Sequence, residues 1–209
     1  MRSILSIVLM SLLLAPNLQA QPKSADELAD AVMKANGSDQ WPKVKIIRWT
    51  FGGKNKHVWN LKENTDTVTI GDKTQTIRID QKPTNDDDKK LFGRWTNDSY
   101  WLIAPLKIKD PGVMLSTTAD EKIEGKDYHV LHLKFQDVGM TPGDQYNMYI
   151  DPKTMLVSYW DYIPSASKKT RWSWEGYKDF NGLKIATEHK FAGSDRKLEM
   201  TDVAVEFEK

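Results

Sequence analysis

Apolar residues recur at helical spacing in a segment that begins at Ser24. Ser24 is a suitable N-cap, and Glu27 three residues later completes a capping-box pattern. Asn36-Gly37 ends the pattern, because glycine tolerates the left-handed conformation found after helix C-termini. The sequence therefore predicts an amphipathic helix of about three turns. Its apolar face consists of Leu28, Ala31, Val32 and Ala35.

From Val44 onward the period changes to two, which is typical of strands with one buried face. Turns containing glycine or proline separate the alternating runs, and Asn181-Gly182 is the strongest hairpin signal among them. The pattern predicts a mainly β (α+β) fold with about eleven antiparallel strands. The predicted strands are residues 45–51, 57–62, 66–70, 74–80, 113–118, 128–135, 145–151, 156–162, 169–177, 183–191 and 197–207.

Two helical segments are predicted between the fourth and fifth strands. The first covers residues 83–92 and carries Asp86, Asp87 and Asp88 in its first turn, where acidic side chains complement the helix dipole. The second is short and rich in aromatic residues, and it covers residues 97–105. The three aspartates lack the ligand spacing and the glycine of an EF-hand loop, so helix capping is favoured over calcium binding.

The first 20 residues have the layout of a secretory signal peptide. Met1-Arg2 is a short positive start, residues 4–14 are apolar except for two serines, and the segment ends in Ala20. We therefore predict cleavage near Ala20, a mature single domain over residues 21–209, and a periplasmic or secreted location. An uncleaved anchor is the alternative. No second apolar stretch approaches the ~20 residues that a membrane-spanning helix needs.

Composition and charge exclude several classes of protein. The chain has 30 basic and 29 acidic residues, and loss of Arg2 with the leader would leave 29 of each. Nucleic-acid binders normally carry a basic excess, so no nucleic-acid partner is expected. The absence of cysteine excludes disulfides, thiol nucleophiles and cysteine-ligated metal sites. No cofactor is predicted, and the eight tryptophans are the one unusual feature of the composition.

Three segments resemble ones that recur, in this order, among LolA-like proteins, a superfamily of periplasmic lipoprotein carriers and lipid-binding proteins. They are YWLIAPLK at 100–107, MYIDPKT at 148–154 followed by LV at 156–157, and YKDFNGLKI at 177–185. The resemblance implies a curved, unclosed antiparallel sheet, a half barrel, with helices covering its concave side. It also implies an apolar cavity between sheet and helices that shields acyl chains from water.

The main functional hypothesis is therefore an exported protein that binds or carries a lipophilic ligand, such as an acyl chain, a lipid or a lipoprotein. Each buried methylene contributes about 0.8 kcal/mol, so an apolar cavity binds a long chain without specific polar contacts. The chain has no lipobox cysteine, which argues against a membrane-anchored receptor of this superfamily. An envelope partner protein and transient contact with a membrane are compatible with the hypothesis.

Alternation along the strands identifies candidate residues for the lining of such a cavity, and Trp101 of the aromatic-rich segment is added to them. Tryptophan offers a large apolar area and methionine is adaptable, so both suit a pocket of this kind. Which alternating face is concave stays open, and ordinary core packing is the alternative for each residue. The candidates are Ile47, Trp49, Phe51, Trp59, Leu61, Trp101, Met148, Trp160, Trp172 and Trp174.

An enzyme is not expected. The sequence contains neither an HExxH motif nor a GxSxG motif. Of the four histidines, His57, His129, His132 and His189, the middle two are three residues apart on a predicted strand. That spacing places them on opposite faces and argues against a shared metal. A Ser-His-Asp arrangement built from distant segments stays open.

A second hypothesis starts from cationic and aromatic residues on two neighbouring predicted strands. These are Lys168, Lys169, Arg171, Trp172 and Trp174, with Tyr159, Trp160 and Tyr162 on the preceding strand. Exposed rings would stack on sugars or rest at a membrane interface, and the cations would engage an acidic partner protein. The chain would then be a polysaccharide- or protein-binding module of the cell envelope. Buried tryptophans favour the lipophilic ligand, whereas solvent-facing rings favour this alternative. The purely structural interpretation is that the rings pack across neighbouring strands and that the lysines shield the edge of the sheet.

Overall fold

A computed structural model describes residues 24–136, 143–165 and 168–208 of the 209-residue chain. The predicted signal peptide, residues 1–20, lies outside the described residues. The described helices are α1 (Ala25–Ala35) and α2 (Asp86–Ile103). The described strands are β1 (Val44–Phe51), β2 (Asn55–Asn60), β3 (Thr65–Ile70), β4 (Lys73–Arg78), β5 (Val113–Ile123), β6 (Lys126–Phe135), β7 (Gln145–Ile150), β8 (Val157–Ile163), β9 (Thr170–Ser173), β10 (Lys178–Phe180), β11 (Leu183–Ile185), β12 (Glu188–Lys190) and β13 (Lys197–Phe207).

Two large antiparallel sheets adjoin one another in the fold. The six-stranded sheet has the order β12-β13-β1-β2-β3-β4, and the five-stranded sheet has the order β5-β6-β7-β8-β9. Isolated bridges between Trp172 and Phe191 and between Glu175 and Glu188 join β9 to β12. The eleven strands therefore form one curved surface whose free edges are β4 and β5, so the barrel is open. The predicted half barrel is confirmed.

Two predicted strands are divided in the structure. The segment predicted as 183–191 consists of β11, which pairs back with β10, and β12, which pairs with β13. The segment predicted as 169–177 ends as a strand at Ser173. In both places the chain changes partner, which local alternation does not reveal. The Asn181-Gly182 hairpin between β10 and β11 is confirmed, and both turn residues have positive φ.

Cross-strand pairing identifies the concave face of the surface. Ile47 pairs with Trp59 and Trp49 pairs with His57 between β1 and β2. Directly paired residues project to the same side of a sheet, and these four side chains are buried. In the five-stranded sheet, the buried face likewise contains a row of directly paired residues. That row is Leu131, Met148, Trp160 and Trp172.

Helix α1 covers the concave side of the five-stranded sheet. Ser24 is its N-cap and accepts a hydrogen bond from the Glu27 backbone N–H at 3.2 Å, as predicted. Its buried residues Leu28, Ala29 and Val32 pack in one cluster with inward-facing side chains of β6, β7 and β8. Leu28 and Val32 of the predicted stripe are thus buried, whereas Ala31 and Ala35 are only partly buried and the buried Ala29 was not predicted.

Helix α2 crosses the concave side from one sheet to the other. Near its start Leu91 packs on Val68 and Ile77 of the six-stranded sheet. Near its end Trp101 lies 4.5 Å from Trp160 of the five-stranded sheet, measured between ring centroids. Asn85 caps the helix by accepting a hydrogen bond from the Asp88 backbone N–H at 2.8 Å, which confirms the capping interpretation of the aspartates.

The prediction of two separate helical segments before β5 was wrong. Residues 86–103 form a single helix of 18 residues. Gly93 weakens helix propensity in the middle of this segment. Tertiary packing compensates, because the Trp95 ring packs at 5.4 Å against Trp59 on β2. Neither described helix is long and apolar enough to cross a membrane.

Candidate functional site

The predicted cavity-lining residues on β1 and β2 lie together under helix α2. Ile47, Trp49 and Trp59 are buried in one apolar cluster with Leu102 and Ile103 of the helix. Phe51 and Leu61 pack against the margin of the same cluster and are partly buried. These five candidates are therefore neighbours on one concave surface.

The remaining candidates lie on the concave side of the five-stranded sheet. Met148, Trp160, Trp172 and Trp174 are buried in a second cluster. Trp101 on α2 packs against both clusters and contacts Trp160 and Trp172 at ring-centroid distances of 4.5 and 5.2 Å. Helix α2 thus brings the two groups of candidates into one continuous layer. We call this the aromatic layer, and define it by Trp49, Trp59, Trp95, Tyr100, Trp101, Trp160, Trp172 and Trp174.

The aromatic layer contains buried polar atoms that lack partners. Eight buried side-chain nitrogen or oxygen atoms of the described residues have no hydrogen-bond partner. They are Nε1 of Trp49, Trp59, Trp95, Trp160 and Trp174, the hydroxyl oxygen of Tyr100, Oδ1 of Asp66 and Nε2 of His189. Seven of the eight belong to inward-facing sheet residues or to α2, and the eighth belongs to Trp174, directly after β9. An unsatisfied buried donor or acceptor costs about 1 to 3 kcal/mol, and native interiors normally carry few of them.

A buried polar cluster ties α2 to the six-stranded sheet. His57 on β2 has Nδ1 at 2.8 Å from Asp66 Oδ2 on β3 and Nε2 at 3.1 Å from Asp98 Oδ2 on α2. Asn55 donates a further hydrogen bond to Asp98 Oδ2 at 2.7 Å. All four residues are buried. We call His57, Asp66 and Asp98 the charge cluster.

The charge cluster favours a protonated histidine. Burial opposes the charged ring, but the hydrogen bonds to Asp66 and Asp98 outweigh it and raise the pKa of His57 above 6.5. The Trp49 ring stacks on His57 with centroids 4.4 Å apart and planes 9° apart, which places an indole face against the cation.

An open cleft lies at the outer end of the interface between sheet and helix. Its volume is about 580 Å³, and Ile70 and Leu91 provide its apolar lining. Along β3, Val68 and then Asp66 follow Ile70 on the same face, so the lining continues inward from the cleft. The cleft rim carries the charged residues Asp72, Lys73, Asp87, Lys90 and Arg94. Between this cleft and the charge cluster lie the packed side chains of Val68, Ile77 and Leu91.

His189 is a second buried histidine, at the other end of the layer. Its ring lies 4.6 Å from Trp174 and 5.2 Å from Trp101, measured between centroids. Nδ1 lies 3.1 Å from the Ser173 carbonyl oxygen, which requires a proton on Nδ1. Burial lowers the pKa of His189 to about 4, so the ring is neutral at neutral pH.

The tryptophans of the second hypothesis are buried. Trp160, Trp172 and Trp174 are 1%, 7% and 2% exposed. The neighbouring cations project to the opposite face, where Lys169 and Arg171 pair with buried Asp161 at 2.8 and 2.6 Å. These tryptophans therefore do not form a row of solvent-facing rings. The pairing of Trp160 with Trp172 is the cross-strand packing considered for them from the sequence.

The other two histidines have separate partners. His129 Nδ1 lies 3.0 Å from Asp120, and His132 Nδ1 lies 2.7 Å from Asn147. Within the described residues, no group of histidine and acidic side chains is arranged to hold a metal ion.

Sequence reasoning missed the polar part of the site. His57 lies on the same alternating face as Trp59 and Leu61, and Asp66 shares a face with Val68. A polar residue on an otherwise apolar face is the signal that could have drawn attention to both. Asp98 carries no such signal, because its contact with His57 spans 41 residues of chain.

Comparison with solved structures shows similarity over most of the chain. A LolA superfamily protein from Nitrosomonas europaea shares 12% identity at a TM-score of 0.46, covering 88% of this chain and 94% of the other. A DUF1329 family protein from Desulfovibrio piger shares 9% identity at 0.47, covering 87% and 93%. A domain assigned to outer membrane lipoprotein sorting from Vibrio parahaemolyticus shares 8% identity at 0.46, also covering 87% and 93%. At these identities, the function of the chain has to be inferred from its own residues.

Comparison at the level of sequence gives a family. No curated protein matches the chain significantly. A family model described as a family of unknown function, DUF6503, matches residues 60–203. This match covers more than half of the chain and includes β3 to β12 with helix α2. The chain therefore belongs to the DUF6503 family.

Proposed function

We propose that this protein binds and carries a lipophilic ligand in the space between the concave sheet and helix α2. The ligand is an acyl chain, a lipid or the acylated end of a lipoprotein. The observation that carries the proposal is the set of unpartnered buried donors in the aromatic layer. Five indole N–H groups and the Tyr100 hydroxyl are buried there without an acceptor.

The chemistry of an acyl lipid fits these donors. Ester and amide carbonyl oxygens accept hydrogen bonds, so a bound lipid would offset the cost of leaving indole N–H groups unpaired. The methylene chain would lie against ring faces and methionine, at about 0.8 kcal/mol per buried CH₂. Met148 and Trp101 supply adaptable and large apolar surfaces at the centre of the layer.

The predicted export leader supports a role outside the cytoplasm. A carrier there would take up a lipophilic ligand, shield it from water and deliver it, with transient contact to a membrane or to an envelope protein. The role is one of binding rather than catalysis. The buried tryptophans of β8 and β9 favour it over binding through exposed rings.

Native mass spectrometry of the mature protein, purified from its own cell envelope, tests the proposal. We expect a co-purifying acyl lipid that organic extraction removes and that added lipid replaces. A ligand-free mass, together with no uptake of added fatty acid, ester or phospholipid, would overturn the proposal.

A pair of matched variants locates the binding site. Trp101→Gln places an amide in the middle of the aromatic layer, whereas Tyr159→Gln makes a similar change on the convex side, where Tyr159 contacts Tyr128. We expect lipid uptake to fall in Trp101→Gln and to persist in Tyr159→Gln, with circular dichroism showing that both are folded. Equal uptake by folded samples of both would place the ligand elsewhere.

A further inference from the structure

Four of the unpartnered atoms lie close together around the charge cluster. Trp49 stacks on His57, and the carboxylate of Asp66 is held by the same histidine. Trp59 is directly opposite Asp66 in the pairing of β2 with β3, and its ring lies 5.4 Å from that of Trp95. Three indole N–H donors and one carboxylate oxygen, Asp66 Oδ1, therefore remain unpaired in one neighbourhood. We call Trp49, Trp59, Trp95 and Asp66 the polar subsite.

The donors and acceptor of the polar subsite restrict the group that would satisfy it. A ligand carboxylate would accept from the indoles, but it would offer no donor to Asp66 Oδ1 and would leave that oxygen unpaired. An ammonium group would donate to Asp66 and leave the indoles unpaired. A hydroxyl group both donates and accepts, so it satisfies a carboxylate oxygen and an indole N–H together. Several hydroxyls on one head group would pair several of these atoms.

We infer that a ligand would reach the polar subsite from the open cleft, by displacing the apolar side chains packed between the two. Ile70 in the cleft and Asp66 in the subsite lie on the same face of β3, four residues apart, which is about 13 Å along a strand. On α2, Leu91 lines the cleft and Trp95 follows one turn later. The apolar side chains of Val68 and Ile77 lie between the two. A lipid entering here passes apolar side chains before its polar group meets the subsite.

We propose that the ligand is a neutral lipid with a hydroxyl-bearing head group of the glyceryl type, recognised by Trp49, Trp59, Trp95 and Asp66. The inference rests on the proposed function and names the class of ligand. The glyceryl hydroxyls donate to Asp66 and accept from the indoles, and the acyl chain lies in the remainder of the aromatic layer. Trp160 and Trp174, at the other end of the layer, do not contact the head group.

Competition among three ligands with the same acyl chain tests the inference on the unmodified protein. Monooleoylglycerol carries the hydroxyls, methyl oleate lacks them, and oleate is an anion. We expect monooleoylglycerol to bind about tenfold more tightly than methyl oleate, the factor for one good hydrogen bond to a charged group, and oleate to bind most weakly. Equal affinities for the first two would overturn the inference while leaving the proposed function in place. Failure of all three to bind would overturn the inference, and together with a ligand-free native mass and no uptake of phospholipid it would overturn the proposed function as well.

Matched variants test the residues. Trp59→Phe and Trp95→Phe each remove one N–H donor of the subsite, and Trp160→Phe removes an equally buried and unpaired one outside it. We expect the first two to lower the affinity for monooleoylglycerol about five- to tenfold and the affinity for methyl oleate by less, so that the preference between the two ligands shrinks. Trp160→Phe should not change the preference between the two ligands. Loss of preference in Trp160→Phe, or retained preference in both subsite variants, would contradict the assignment.

Indole resonances provide a readout that does not depend on mutation. Monooleoylglycerol should shift the N–H signals of Trp49, Trp59 and Trp95 in the direction of stronger hydrogen bonding, and methyl oleate, which offers a single ester carbonyl and no hydroxyl, should shift them less. If the three N–H signals do not shift when the glyceryl lipid is added, ordered water alone pairs with these atoms. That result would overturn the inference.

Discussion

His57 Nε2 lies 3.1 Å from Asp98 Oδ2, and this contact connects strand β2 to helix α2. On the other side of the ring, Nδ1 lies 2.8 Å from Asp66 Oδ2 on β3. Carboxylate oxygens only accept, so both ring nitrogens must carry protons for both contacts to form. The helix that covers the aromatic layer is therefore attached to the sheet through a group whose charge depends on pH.

Deprotonation of His57 should loosen helix α2. Asp98 has other donors, with Asn55 Nδ2 at 2.7 Å and Asn97 Nδ2 at 2.8 Å, whereas His57 is the only described donor to Asp66. The remaining proton should therefore stay on Nδ1, and the Asp98 contact should be lost. Since the pKa of His57 is raised above 6.5, its stabilising contribution is complete below pH 6.5 and is lost as the pH rises through the folded-state value.

Hydrogen exchange of the α2 backbone checks this prediction. Between about pH 6 and about pH 9, exchange of α2, corrected for the intrinsic rate, should accelerate relative to the central strand β7. The same step should be absent from His57→Phe. The nitrogen chemical shifts of the His57 ring report which nitrogen keeps its proton at high pH. A proton that remains on Nε2 would contradict the predicted loss of the contact with Asp98.

Replacement of His57 should cost more than replacement of Asp98. His57→Phe keeps a ring beside Trp49 but leaves two buried carboxylates without their shared cation, so we expect a loss of about 3 to 5 kcal/mol in the free energy of unfolding. Asp98→Asn leaves the His57–Asp66 pair intact and should cost only about 1 to 2 kcal/mol. Urea denaturation measures both, with His132→Phe as the control on the opposite face. An equal cost for the first two variants would argue against a shared imidazolium.

His189 should destabilise the fold in acid. Because burial lowers the pKa of His189 to about 4, the folded ring stays neutral while the unfolded chain takes up a proton near pH 6.5. The contribution of neutral His189 to the free energy of unfolding is complete above pH 6.5. It declines as the pH falls, by up to about 3 kcal/mol near pH 4. The stability difference between wild type and His189→Phe should therefore shrink with falling pH. A difference that does not change with pH would show that His189 does not titrate in this way.

Gly37 should be intolerant of any side chain. Its φ is +87°, and an added Cβ would meet the backbone of Gly182 and lie 2.8 Å from the Cα of Leu183. Gly53 has a similar φ of +70° with nothing within 4 Å, so Gly53→Ala should cost only about 1 to 2 kcal/mol of backbone strain. Gly37→Ala should cost about a further 1 to 3 kcal/mol because backbone has to move. Thermal unfolding measures the loss of stability in both variants. Equal losses would mean that the β10–β11 hairpin moves to accommodate the added Cβ at little cost in free energy.

Much of the local structure could be predicted because its causes are local. Ser24 and Asn85 cap their helices through hydrogen bonds that span three residues, so both helix starts are visible in sequence. The Asn181-Gly182 turn is specified by two residues that accept positive φ. Helix α2 was harder, because Gly93 suggests an interruption that only the contact between Trp95 and Trp59 overrides.

The apolar half of the candidate site was also predictable, whereas its polar half was not. Strand alternation places Trp49 and Trp59 on consistent faces, since side chains of a strand alternate whatever the fold. The meeting of His57 with Asp98 depends on how α2 lies across the sheet, and no local pattern encodes a contact 41 residues apart.

The sequence alone determined the class of fold, the helix caps, the Asn181-Gly182 turn and the alternating aromatic faces, because hydrogen bonds over a few residues and side-chain periodicity decide these. Only the tertiary structure decided which face is concave, that β9 adjoins β12, and that buried charge and unpaired indole donors gather around His57. Those features arise from long-range packing, in which burial changes the free energy of a polar group according to the neighbours that the whole fold supplies.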